Sequence, residues 1–270
     1  MNHVSALPPR ATEIGPLLRE WRNRRRMSQL DLALEAEISQ RHLSFVESGR
    51  AAPSRDMILH LADHLDVPLR QRNHLLLAAG FAPTFTERAI DDPDLEPAMK
   101  AVERVLKVHE PNPAIAVDRH WNLVAANDAI KPFMAAATDP KLLEPPVNVL
   151  RLSLHPQGLA PLIVNLGEWR AHLFERLKRL VDASGDPKLI ELEAELQAYP
   201  GTATRTPPPK GEAGLIAVPL RLRFGPAILS FISTITVFGT ALDVTLSELA
   251  VESFFPADEE TAAALRQNLR

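Results

Sequence analysis

Cysteine is absent from the 270 residues, and with it go disulfides, thiolate metal sites, cysteine nucleophiles and cysteinyl-flavin photochemistry. Aromatic side chains are scarce at 5%, with one Tyr and three Trp, which leaves few rings to stack on a flavin or a haem. No run of eighteen or more apolar residues occurs, and the N-terminus lacks the charged-then-apolar layout of a signal peptide. The sequence therefore predicts no membrane span, no export and a cytoplasmic home. Lysine is missing through Phe85, where eleven Arg stand against nine acidic residues. That front carries +2, and the remainder, with nineteen basic and twenty-five acidic residues, carries −6, for a whole-chain charge of −4. Catalytic signatures are missing too. No Gly-x-Ser-x-Gly, phosphate loop or dinucleotide fingerprint appears, so no enzyme is expected. At 46% hydrophobic, the length suffices for a small domain of about eighty residues and a larger one with its own core.

The most informative stretch that is present runs from Ser28 to Ser54. Ser28 predicts an N-cap for a helix whose Leu30, Leu32, Ala33 and Ala36 form an inward stripe. The chain turns after Glu37, Ile38 plugs the angle, and Ser39 offers a second cap before Leu43 and Val46 recur on a buried face. Gly49 supplies a C-terminal stop. Pro53 and Ser54 open another helix with a core stripe of Ile58, Leu61, Ala62 and Leu65, and a fifth helix ends at Gly80. Two capped helices about a tight turn have the layout of a helix-turn-helix.

With the apolar positions committed to packing, Gln40, Arg41, Ser44, Phe45 and Ser48 face outward on the second of these helices. Gln suits adenine, Arg suits guanine, and an apolar ring covers a thymine methyl. Gln29, Arg50 and Arg55 stand where phosphates would be held, as does the run Arg22, Arg24, Arg25, Arg26. The candidate DNA-binding set is Gln29, Ser39, Gln40, Arg41, Ser44, Phe45, Arg50 and Arg55. The bland alternative is a polar, solvated helix face. From about Ile14 to Pro68 the chain resembles the Xre/Cro-type five-helix DNA-binding domain of bacterial regulators. The resemblance implies that the helix from about Gln40 to Ser48 enters the major groove of a double-stranded operator. It also implies a homodimer on half-sites roughly 34 Å apart. Glu37 departs from the family, which usually has Gly at the turn; a left-handed Glu there costs on the order of 1 kcal/mol.

The polar segment Thr84 to Pro93 reads as a linker, so the expected domains are 1–82, 83–93 (linker) and 94–270. A helix from about Leu95 to Val108 carries an apolar stripe of Met99, Val102, Val105 and Leu106. Ala114 to Val117 and Trp121 to Ala126 read as a short hairpin, and Asn127 as the cap of a helix through about Ala136. Two or three helices follow between Val147 and Tyr199, one of them long and amphipathic around Trp169, Leu173, Leu177 and Leu180. A Pro-rich loop occupies Thr206 to Lys210. Leu215 to Phe224, Ala227 to Phe238 and Leu246 to Phe255 read as strands, and Asp258 starts a last helix. The expected fold is an all-α five-helix domain followed by an α+β domain, a five-stranded antiparallel sheet with helices on one face.

That order, with Val117 to Asn127, resembles the PAS-like sensor fold. Asn148 to Arg151, Glu168-Trp169, Phe238 to Thr240 and Phe254 to Asp258 resemble, more closely, the ligand-binding domain of MmyB-like transcription regulators. The resemblance implies a bacterial regulator whose pocket between sheet and helices accepts a small, lipid-like molecule such as a fatty acid, with no resident cofactor. From the residues themselves, Leu220, Leu222, Leu229, Phe231, Ile235 and Val237 can line an apolar cavity. Arg151, Arg170, Arg221 and Arg223 are candidate forks for an acidic head. The candidate ligand set is Asn148, Arg151, Trp169, Arg223, Leu229 and Phe231. The alternative is that the leucines fill the core, the arginines reach solvent, Trp169 packs and Asn148 caps a helix. His60 and His64, four apart, lack a third ligand in the metalloprotease pattern and read as a surface pair. Two functions stay open: a ligand-responsive transcription regulator, or a DNA-binding protein whose second domain only dimerises or binds a protein partner.

Overall fold

The computed structural model describes residues 14–201, 218–238 and 243–267. Its contacts divide the chain into two units, the first ending at Glu87 and the second beginning at Arg88, with Asp243 and Val244 grouped with the first. The Pro-rich loop Thr206 to Lys210, the start of the third expected strand at Leu215, and Gly239-Thr240 lie outside the described residues.

Among the described residues the first unit contains five helices: α1 (Ile14–Arg24), α2 (Gln29–Glu35), α3 (Gln40–Glu47), α4 (Arg55–His64) and α5 (Leu69–Ala78). Hydroxyls start three of them. Ser28 forms a capping box with Asp31, Ser39 accepts from the His42 amide, and Ser54 accepts from the Met57 amide, each satisfying an orphan donor of a first turn. Leu18, Leu32, Leu43, Val46, Ile58, Leu61, Leu65, Leu75 and Leu76 are wholly buried in one core, with Ile38 packed against its edge. Leu30 is a correction to the expected stripe, since it is 49% exposed; a seven-residue helix turns only Leu32 and Ala33 inward. Glu37 adopts φ +51° in the turn, the left-handed conformation that disfavours a side chain. Gly15 is required by close approach: a Cβ there would sit 2.6 Å from the Val46 carbonyl oxygen, so α1 rests directly on the end of α3.

The second unit opens with α6 (Glu96–Val108), β1 (Ala114–Val117) and β2 (Leu123–Ala126). It continues through α7 (Lys131–Ala135), α8 (Val149–Leu154), α9 (Leu166–Ser184) and α10 (Pro187–Ala198). It ends with β3 (Leu220–Phe224), β4 (Ala227–Val237), α11 (Val244–Ser247), β5 (Ala250–Pro256) and α12 (Glu259–Gln267). The sheet order is β2-β1-β5-β4-β3, antiparallel throughout. Ile115 pairs with Glu252, and Glu252 with Ile235, so these three share a face, because directly paired residues project to the same side. On that face Ile115, Val117, Leu220, Leu222 and Phe231 pack with Leu150, Trp169, Leu173 and Leu192.

Helices cover both faces, which corrects the one-face expectation. Val102 and Leu106 of α6 pack on Ala114, Ala116 and Val251, the residues that alternate with the first set. Val105 and Leu180, assigned to apolar stripes, are exposed. Leu246 does not begin a strand: Val244–Ser247 is helical and β5 starts at Ala250. Asn127 does not cap the following turn. Its amide instead accepts from the Ala114 amide and donates to the carbonyls of Leu106 and Asn112, stitching the end of β2 to β1 and α6.

Candidate DNA-reading and ligand-binding sites

In the first unit, Gln40 and Arg41 are exposed and Ser44 and Phe45 half-buried on α3. The guanidinium carbons of Arg41 and Arg50 lie 5.3 and 5.8 Å from the Phe45 ring, which gathers ring and cations into one cluster. Ser39 spends its hydroxyl oxygen on the His42 amide. Arg55 donates to the Thr84 hydroxyl at 2.9 Å.

The placement of α3 depends on Glu47, whose side chain is wholly buried. Arg22 donates to its two oxygens at 2.7 and 3.0 Å, and the Gln29 side chain donates to Oε2 at 2.8 Å. One carboxylate thereby binds α1, α2 and α3. Burial works to raise the Glu47 carboxyl, but the hydrogen bonds from Arg22 and Gln29 and the charges of Arg22 and Arg19 hold it below its ordinary value. This network takes Arg22 out of the expected phosphate surface, while Arg26 stays exposed. Arg22 is buried against Glu47, Arg25 donates to the Leu65 and Asp66 carbonyls, and Arg24 pairs with Glu20. The Gln29 side chain is likewise engaged inside the unit. His60 is held 2.8 Å from the Ala36 carbonyl and meets His64 edge to face.

In the second unit a cavity of about 90 Å³ lies between sheet and helices. Leu123, Leu220, Leu222, Phe231 and Phe254 form one wall, and Phe133, Leu150, Leu152, Trp169 and Leu173 another. Of the candidates read from sequence, Trp169, Phe231, Leu220 and Leu222 line it. Leu229 is buried in the same core away from the lining, and Ile235 and Val237 are exposed.

The candidate polar contacts are engaged elsewhere. The Asn148 amide accepts from the Arg151 amide and donates to the His120 carbonyl, so it caps α8. Arg151 forks onto Glu195 with contacts of 2.7 to 3.0 Å, and Tyr199 donates its hydroxyl to the same carboxylate at 2.6 Å. The acidic partner of that fork is the chain's own. Arg170 donates to the carbonyls of Leu196, Gln197 and Tyr199, closing the end of α10. Arg221 and Arg223 alternate with Leu220 and Leu222 and so belong to the opposite face; Arg223 is exposed.

The polar groups that do line the cavity, Ser153 and Glu252, are absent from the sequence reading. Ser153 accepts from the Trp169 indole at 3.1 Å, and His172 stacks on the same indole at 5.4 Å. Glu252 accepts from Arg176 at 3.0 Å, and the Arg176 guanidinium lies 4.1 Å from the centre of the Trp121 ring. Burial lowers both His172 and Arg176 from their ordinary values. A carboxylate between Val251 and Ser253, in phase with Ala250 and Phe254, is a charge on a core-facing strand position. Period-two alternation carries that signal.

Residues 18–71 match a helix-turn-helix family, which contains α2 and α3, and residues 98–267 match the MmyB-like transcription regulator ligand binding domain. No curated protein gives a match. The second match contains the whole sheet and the cavity and spans more than half of the chain, so this protein belongs to the MmyB-like transcription regulators, with a helix-turn-helix domain ahead of the ligand-binding domain.

Proposed function

We propose that this regulator binds a double-stranded operator as a homodimer, reads bases with Gln40, Arg41, Ser44 and Phe45, and changes operator affinity when an apolar, lipid-like ligand fills the second unit. Arg50 is the phosphate contact best placed beside that helix, with Arg55, Ser39 and the backbone amide of Gln29 as further contacts. The observation that carries the reading is the pairing of an exposed Gln40-Arg41 surface beside the half-buried Phe45 ring on α3, mounted through Glu47, with a carbon-lined cavity in a ligand-binding domain. Ligand control requires different affinities for two arrangements of the dimer. A cytoplasmic setting fits this role.

Native followed by denaturing mass spectrometry of the purified protein tests the ligand half. An identified acyl or other amphiphilic molecule, whose addition changes operator affinity, supports it. An empty protein that stays empty after incubation favours the second reading, in which the domain only dimerises or binds a protein. That alternative is favoured by one observation: about 90 Å³ is below the roughly 300 Å³ at which ligand pockets usually begin. Enrichment of one duplex sequence from a random pool tests the DNA half, and failure to enrich any sequence overturns it.

A further inference from the structure

We propose that α11 is a lever that carries the filling of the cavity to the DNA-reading unit, through a hydrogen bond from Val244 to the segment Thr84 to Glu87. This rests on the reading of the second unit as ligand-responsive and names the route by which it acts. Val244, the first residue of α11, is wholly buried and is grouped with the first unit. Its amide donates to the Thr86 carbonyl at 2.8 Å. The chain around Thr86 is strapped to α5 by Asn73, which is 7% exposed. Asn73 Oδ1 accepts from the Thr84 and Phe85 amides at 3.0 and 3.1 Å, and its Nδ2 donates to the Phe85 carbonyl at 2.7 Å. Arg70 of α5 pairs with Glu87, and Arg55, a candidate phosphate contact at the start of α4, donates to Thr84.

At its other end α11 leads through Leu249 into β5. Leu249 is buried with Val102, Leu106 and Val251, and Glu252 and Phe254 of β5 line the cavity. About 90 Å³ is well below the roughly 300 Å³ of a usual ligand pocket, so a ligand enters by moving a wall. Packed elements shift as bodies and do not deform smoothly. A shift of β5 therefore reaches Val244 through Leu249 and α11, Thr86 through the hydrogen bond, and α5 and Arg55 through the Asn73 strap. Ligand and operator are then coupled if they favour different settings of this one element. Yielding of the helical wall alone would leave Val244 where it is.

The test uses the full-length protein, dodecanoate as the ligand probe and the duplex enriched from a random pool as the operator probe. Val244→Pro removes the donor at the first position of a helix, where proline is tolerated. Dodecanoate is expected to change the wild-type operator dissociation constant at least about fivefold and that of the variant less than about twofold, with dodecanoate affinity in the absence of DNA within about threefold in the two proteins. On the wild type, saturating dodecanoate is expected to change the hydrogen-exchange rate of the Val244 amide at least about tenfold. That second measurement decides alone if circular dichroism shows the variant unfolded. An unchanged coupling factor in folded Val244→Pro, or an unchanged Val244 exchange rate with dodecanoate bound, overturns the lever and leaves ligand control standing. Dodecanoate that does not bind, or binds without changing wild-type operator affinity, removes ligand control and the lever with it.

Discussion

Glu47 shows how much one buried carboxylate can be asked to hold. Its three hydrogen bonds from Arg22 and Gln29 keep its folded pKa below the ordinary value of 4.5. The stability it contributes is therefore complete above that value and is lost as pH falls through the depressed one. Thermal melts of the first unit's signal should drop on acidification below about pH 4.5, and Glu47→Gln should lower stability at neutral pH by on the order of 3 kcal/mol while flattening the acid limb. Gln40→Ala and Arg41→Ala leave this network untouched. Each should cost about 1 to 3 kcal/mol on the operator with random-sequence DNA binding nearly unchanged; equal losses on both would end the base-reading assignment. Arg151→Ala has a different expected outcome. With its side chain 42% and Glu195's 38% exposed, the pair contributes at most about 1 kcal/mol, and ligand occupancy measured by native mass spectrometry should not change. Residue roles divided by partner type in what the sequence disclosed. Caps such as Ser28 and Ser39 are local and legible, whereas the partners of Arg22, Arg151 and Glu252 lie 25, 44 and 76 positions away, beyond any periodicity.

Among the elements, the turn between α2 and α3 combines a strained residue with a tight contact. Glu37 holds φ +51°, where glycine is free of the Cβ penalty, so Glu37→Gly should raise the melting temperature, by up to about 1 kcal/mol in stability. Gly15→Ala should do the reverse. The added methyl would meet the carbonyl oxygens of Val46 and Glu47 at 2.6 and 2.7 Å, and pushing α1 away from α3 should cost about 1 to 3 kcal/mol by denaturant unfolding. Element types were readable wherever a cap, a stop and a stripe agreed, as in α2 to α4. They were misread where only local pattern spoke. Leu246 to Leu249 carries β-compatible residues, yet Leu249 is buried against α6 and the chain is helical just before it. Which sheet face α6 covers is likewise a tertiary fact, since the stripe of Val102 and Leu106 says only that something is covered.

For the molecule as a whole, a ligand that alters operator affinity must be altered by the operator in return. The factor by which a bound amphiphile changes the operator dissociation constant should equal the factor by which saturating operator changes the amphiphile's. Fluorescence titrations in both orders check this, and a one-sided effect would rule out equilibrium coupling. The three Trp of the chain make such titrations label-free. Trp169 lines the cavity beside His172, Trp121 lies under Arg176, and Trp21 is buried in the first unit below Arg24 and Arg25. Each indole thus has surroundings of its own. A Trp21→Phe protein emits from the ligand-binding unit alone, and a Trp121→Phe, Trp169→Phe protein from the DNA-binding unit alone, so the proposed coupling predicts that filling the cavity changes the emission of an indole that the ligand does not touch.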